Sequence, residues 1–234
     1  MKPVHLILGG AGGIGSALAR QLTADGARVV LAGRSSGPLE ALAAELGAAA
    51  HPVEATSFEE VDALVRRVVE TEGRLDGLAN AVGSILLKPA HRTSQEEWRA
   101  TLAANLDTAF AAVRAGAAAM QRTGGSIVLF SSAAARTGLA NHEAIAAAKA
   151  GVIGLGLSAA ASYASRGVRV NVIAPGLVRT PALVEASEKM HALGRLGEPE
   201  DVARAAAWLL DPAQTWVTGQ VLGVDGGLGT LRGR

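Results

Sequence analysis

The chain reads as an α/β protein: a doubly wound parallel sheet of about seven strands, with helices on both faces, in a single domain. Two observations predict this. Short β-branched or Leu-rich runs alternate with longer Ala-rich stretches of helical period, the pattern of repeated βαβ units. A glycine-rich run, Gly9-Gly10-Ala11-Gly12-Gly13-Ile14-Gly15, falls between the first strand and the first helix. The 234 residues, 49% hydrophobic and 18% charged, suit one globular core spanning 1–234.

The elements follow in order. Strands are expected at Val4–Leu8, Arg28–Ala32, Ala48–Val53, Gly77–Asn80, Ser126–Ser131, Arg169–Ile173 and Val221–Val224. Helices fall near 14–25, 37–46, 57–72, 94–120, 142–164 and 200–210. Ser94-Gln-Glu-Glu97 is a capping box that opens the fourth helix. Asn141 is the expected N-cap of the fifth, with Glu143 in its first turn where the helix dipole favours negative charge. The mixed, proline-flanked stretch near 181–198 is the expected lid.

Composition narrows the function classes. A net charge of +1 gives no basic surplus for nucleic acid or anionic lipid. With no cysteine there are no disulfides, thiolate metal sites or cysteine nucleophiles, and no His or carboxylate spacing resembles a metal cluster. The N-terminus runs straight into a strand, and the apolar stretches are interrupted by polar residues, so neither a signal peptide nor a membrane span is expected. The expected location is cytoplasmic.

The glycine loop is placed to bind a dinucleotide. Glycine allows a tight turn and close approach to a pyrophosphate, whose charge the helix N-terminus stabilises. At the end of the second strand, Leu31-Ala-Gly33-Arg34-Ser35 has no carboxylate for a ribose 2′-hydroxyl and instead offers a guanidinium suited to a phosphate. That favours NADP(H) over NAD(H).

Further motifs extend over nearly the whole chain: Asn80-Ala81-Val-Gly83, Asn105, Ser132 with Lys149 seventeen residues on, Asn171…Pro175-Gly176-Leu-Val178…Thr180 and Val224-Asp225-Gly226-Gly227. In this order they resemble the short-chain dehydrogenase/reductase family, which has a Rossmann-type fold. Its Thr-Gly-x-x-x-Gly-x-Gly loop maps onto Gly9, Gly13 and Gly15, with Leu8 where the family usually has Thr. The resemblance implies that Asn80 and Ala81 support the adenosine side. It also implies that Pro175, Gly176, Val178 and Thr180 meet the nicotinamide carboxamide, and that Glu54 replaces an Asp near adenine. Asn105 would hold a relay water, Ser132 would bind the substrate oxygen, and Lys149 would bind the nicotinamide ribose.

One position departs from the family. Four residues before Lys149, where the family has its acid/base tyrosine, stands Ile145. Tyr163 is the only tyrosine; fourteen helical residues past Lys149 it lies roughly 21 Å away, and it is read as packing the helix end. His142 shares a helical face with 145 and 149, so it is a candidate replacement donor, while its plain alternative is a solvent-facing or capping residue at a helix start. His5, His51, His91 and His191 are read as surface or core residues.

The expected function is hydride transfer between NADP(H) and a small carbonyl or alcohol, with the proton from His142 or relayed water. The alternative is a non-catalytic NADP(H)-binding sensor or assembly subunit. The resemblance also implies a homotetramer or homodimer through the fourth and fifth helices.

Overall fold

In the computed structural model, which describes residues 2–179 and 188–231, seven parallel strands lie in the order β3-β2-β1-β4-β5-β6-β7. They are β1 (Val4–Leu8), β2 (Arg28–Gly33), β3 (Ala49–Pro52), β4 (Gly77–Asn80), β5 (Gly125–Phe130), β6 (Val168–Pro175) and β7 (Val221–Val224). The helices are α1 (Gly13–Ala24), α2 (Ser36–Leu46), α3 (Phe58–Glu72), α4 (Gln95–Leu102), α5 (Thr108–Met120), α6 (Glu143–Tyr163) and α7 (Pro199–Leu210).

Strand residues alternate between two cores. Ile7, Leu31, Val128 and Phe130 pack with α1, α2 and α7. Leu6, Leu8, Val30, Ile127 and Leu129 pack with α3, α5 and α6. Because both faces are covered, the strands are mainly apolar on both faces, as parallel sheets require. The parallel order also gathers every strand's C-terminal end at one edge, where open α/β sheets bind their ligands.

Two expectations change. The helix expected over 94–120 is α4 and α5 joined by a π-helical turn, Ala103–Asp107, and that turn carries Asn105. The Ser94–Glu97 capping box is present. The N-cap of α6 is His142 rather than Asn141, which adopts a left-handed conformation at φ 63° and gives its carbonyl to Lys88 N–H. Asn is among the few side chains that tolerate that conformation.

Extended by its last turn to Arg166, α6 has the length and apolar composition to cross a membrane. Here it is a core helix: Ala144, Ile145, Ala148, Val152, Gly156 and Ala159 are buried, and Gly156 faces Val172 of β6. Of the lid expected near 181–198, residues 181–187 lie outside those described, as does Thr180. Glu188–Met190 form a 3₁₀ turn, and Gly197 pairs with Val178.

His5 on β1 is 2% exposed, and the absence of a side chain at Gly77 makes room for its ring. Burial pushes its imidazole down to about 4, against the opposing pull of Asp76 and Asp211. A base whose folded pKa is depressed withholds its stability contribution as pH falls from the unfolded value near 6.5 toward 4. That loss amounts to about 3 kcal/mol. Urea melts of wild type and His5→Leu at pH 7 and pH 4.5 are expected to show a shallower acid loss in the variant.

Candidate active site

Gly9, at φ 76°, lies so near β4 that a methyl group on it would stand 2.8 Å from the carbonyl carbon of Ala81. One on Gly15 would stand 2.2 Å from Gly9 O. These two glycines are therefore fixed by the protein's own packing. Gly13 is not, since a methyl there would meet only Pro199 Cγ, at 3.7 Å. The first turn of α1 is capped by Gly12 with no side-chain hydrogen bond, so its N–H groups are open to an anion. The open cradle at Gly13 and this uncapped turn fit a pyrophosphate.

From the loop, a cleft of about 350 Å³ runs past Gly33, Arg34, Ser35 and Glu54 on one side and Ala81 to Ser84 on the other. Arg34 is exposed and carries no side-chain hydrogen bond or salt bridge among the described residues. The Glu54 carboxylate is occupied locally: it accepts from Thr56 N and Oγ1, and those bonds, with the nearby Arg34 charge, hold it below the usual carboxylate range. Asn80 is buried, donating to Thr108 Oγ1 and accepting from Val82 N–H, so it braces the turn after β4.

The cleft ends near Gly83, which lies beside Asn105 and Lys149. A methyl on Gly83 would stand 3.0 Å from Asn105 Oδ1 and 3.4 Å from Lys149 Nζ. Asn105 is held by Ser84 on both sides of its amide, accepting from Ser84 N–H and donating to Ser84 Oγ, and also donates to Thr101 O. Lys149, 8% exposed, donates to Phe130 O at 2.9 Å. Burial pushes its ammonium down to about 8. Ser131, buried beneath, donates to Lys149 O at 2.7 Å and ties α6 to the end of β5. Ser132 is half-buried and accepts from Ala134 N–H, leaving its hydroxyl proton free to donate.

One turn before Lys149, Ile145 is 5% exposed. Tyr163 packs against the core at the far end of α6. His142 is half-buried, and its Nδ1 lies 2.7 Å from Ala140 O, in its own loop. Asn171 takes a structural place, donating to Val217 O and accepting from Gln220 N–H. Pro175, Gly176 and Val178 leave β6 beside the C-terminal turn, where Asp225 accepts from Gly227 and Gly229 N–H. Among the described residues, no group of three His, Cys, Asp or Glu is placed to hold a metal.

Sequence reasoning gave no separate role to Ser131 or to Gly83, which it quoted only within a motif, and read His191 as a surface or core residue. The double serine was the signal for the first, but which hydroxyl faces the helix depends on the strand's pleat. Nothing in the sequence distinguished His191 further, because the groups its ring meets, at Gly176, Leu177 and Gly226, lie in distant segments.

A family model described as enoyl-(acyl carrier protein) reductase matches residues 9–229. D-threitol dehydrogenase of Mycolicibacterium smegmatis is 36% identical over 238 residues, covering 96% of this chain and 92% of that protein. A short-chain type dehydrogenase/reductase from Mycobacterium ulcerans superposes with a TM-score of 0.93 at 34% identity, over 99% of this chain and 91% of that one. ElxO with NADP bound gives a TM-score of 0.93 at 26% identity, over 99% of this chain and all of that one, 100%. With the glycine loop, the cleft and the Asn105–Lys149 pair at its end, these likenesses make the chain a member of the short-chain dehydrogenase/reductase family.

Proposed function

We propose that this protein is an NADP(H)-dependent oxidoreductase that moves a hydride between the nicotinamide and a small carbonyl or alcohol. It is an atypical family member that works without the active-site tyrosine. The observation that carries the reading is the continuity of one cleft. It begins at a free Arg34, passes the open N-terminus of α1 and ends where Gly83 meets Asn105 and Lys149. Arg34, with Gly33 where a carboxylate would otherwise stand, favours a 2′-phosphate and makes NAD(H) the weaker ligand. The NADP-bound ElxO structure supports the same choice.

When bound, the nicotinamide supplies or accepts the hydride at the substrate carbon. Ser132 Oγ donates to the substrate oxygen and polarises the carbonyl. Lys149 holds the nicotinamide ribose, and together with Asn105 it holds the water that carries a proton to the oxygen. Gly9, Gly13, Ile14 and Gly15 cradle the pyrophosphate, while Ser35 and Glu54 line the adenosine side. Pro175, Gly176 and Val178 take the carboxamide, and Thr180, outside the described residues, is assigned to the same group.

Of the two proton routes, relayed water is better supported than His142, whose ring is turned to Ala140 O. A homotetramer or homodimer through α4, α5 and α6 is consistent with the exposed Trp98, Phe110 and Leu157 on those helices.

Three outcomes test this reading. Arg34→Asp is expected to weaken NADPH binding by about 10–100-fold, the worth of charge-assisted bonds to a phosphate, and to leave NADH binding nearly unchanged in a fluorescence titration. Carbonyl reduction consumes a proton that the Lys149 ammonium helps deliver, and that ammonium loses its proton as pH rises through about 8. Turnover in the reductive direction should therefore decline above pH 8, and alcohol oxidation should rise over the same interval.

Finally, Ile145→Tyr should raise turnover on a panel of reactive carbonyls by about 10²-fold or more, the usual contribution of a positioned acid. His142→Ala should leave it within about 3-fold; a fall near 10² would transfer the proton to His142. A wild type that binds NADPH and turns over nothing, beside an active Ile145→Tyr, would favour the sensor or assembly-subunit reading instead.

A further inference from the structure

One buried polar side chain joins the candidate site without belonging to the family frame. His191 is 3% exposed, and its Nε2 accepts from Leu177 N–H at 3.1 Å. A ring nitrogen that accepts carries no proton, so the imidazole is held neutral with its hydrogen on Nδ1. Nδ1 is itself buried and has no partner among the described residues. A buried donor left unpaired is unfavourable, so its persistence asks what the other nitrogen accomplishes.

The ring fills a slot that two glycines leave open. A methyl on Gly176 would stand 2.9 Å from His191 Nε2, and one on Gly226 would stand 3.3 Å from His191 Cβ. Three backbone bonds close the same knot: Gly176 N–H to Val224 O at 3.1 Å, Leu193 N–H to Gly226 O at 3.1 Å, and Gly197 N–H to Leu177 O at 2.9 Å. The imidazole therefore fastens together the turn leaving β6, the segment leading to α7 and the turn leaving β7. Gly176 and Leu177 follow Pro175 directly, within the stretch assigned above to the carboxamide.

We propose that His191 is a positioning residue: its neutral imidazole, by accepting from Leu177 N–H, fixes the Pro175–Val178 turn at the depth that presents the nicotinamide to Ser132 and Lys149. The proposal rests on the NADP(H) reading. An acceptor on a rigid ring sets the turn from below, from a residue beyond the 180–187 stretch, so the grip on the nicotinamide end is independent of the pyrophosphate loop. His191 is in this way separable from the adenosine side of the cofactor.

That separation gives the test. NADPH and 2′,5′-ADP, which lacks the nicotinamide, are titrated against wild type, His191→Leu and His191→Gln. In His191→Leu, NADPH binding should weaken by about 10-fold, as for one lost hydrogen bond, with 2′,5′-ADP affinity unchanged. His191→Gln, whose amide oxygen can accept from Leu177 N–H, should recover most of that loss.

Three results would overturn the proposal: unchanged NADPH affinity in His191→Leu, parallel loss of 2′,5′-ADP, or no recovery in His191→Gln. The ¹⁵N side-chain spectrum of the protein without nucleotide supplies an independent reading. A proton on Nδ1 supports the anchor, and a proton on Nε2 removes it. If wild type binds neither nucleotide, the NADP(H) reading fails, and the spectrum still decides whether the anchor exists.

Discussion

The contact on which the site depends is the approach of Gly9 to the backbone of Ala81. A methyl group at 2.8 Å from that carbonyl carbon is forbidden, so the loop after β1 and the turn after β4 can meet only through a glycine. The meeting is prepared by the sheet, in which β1 is paired to β4 in parallel with Leu8 opposite Asn80. It is held by Ala81 N–H donating to Leu8 O. Once these two turns are side by side, the uncapped α1 terminus and the Gly83–Asn105–Lys149 corner open onto one cleft. Shift the register by a residue and the strand faces would invert, separating both turns from their helices.

The Gly83–Asn105–Lys149 corner depends on a second constraint, the burial of Lys149. An ammonium this enclosed, resting on a single backbone carbonyl, is poorly solvated, and the depressed pKa expresses that. The π-helical turn at Asn105 belongs to the same arrangement. Its widened backbone lets the Asn105 amide bond both back to Thr101 O and across to Ser84, so the side chain is fixed before any ligand arrives. Preorganised groups of this kind cost little to reorient when a ligand arrives.

Much of this was legible in the sequence, for reasons that differ between residues. The seven strands and their helices follow from apolar runs and Ala-rich periods, because a sheet covered on both faces needs continuous hydrophobicity. Gly9, Gly15, Arg34, Asn105, Ser132 and Lys149 were reachable because their spacing along the chain mirrors the order of βα turns. What sequence left hidden depends on tertiary detail. The π-turn cannot be told from a straight helix by periodicity, and Asn141 lost the cap position because its carbonyl is drawn to Lys88. Ser131 differs from Ser132 only by the pleat. His191 is defined by Gly176 and Gly226, which lie 15 and 35 residues away in the chain.

Ile145 stands one turn before Lys149, where the family has its acid/base tyrosine. General acid catalysis is worth about 3–5 kcal/mol, whereas orientation of reactants can supply as much as 7–11 kcal/mol. The residues that orient, at the glycine loop, Arg34, the β6 turn and Lys149, are all present, and the residue absent is the one with the smaller share. Ile145 is buried one turn before Lys149, and burial of that ammonium lowers its pKa. Under the proposed function, proton delivery then falls to Lys149 and the water it holds with Asn105.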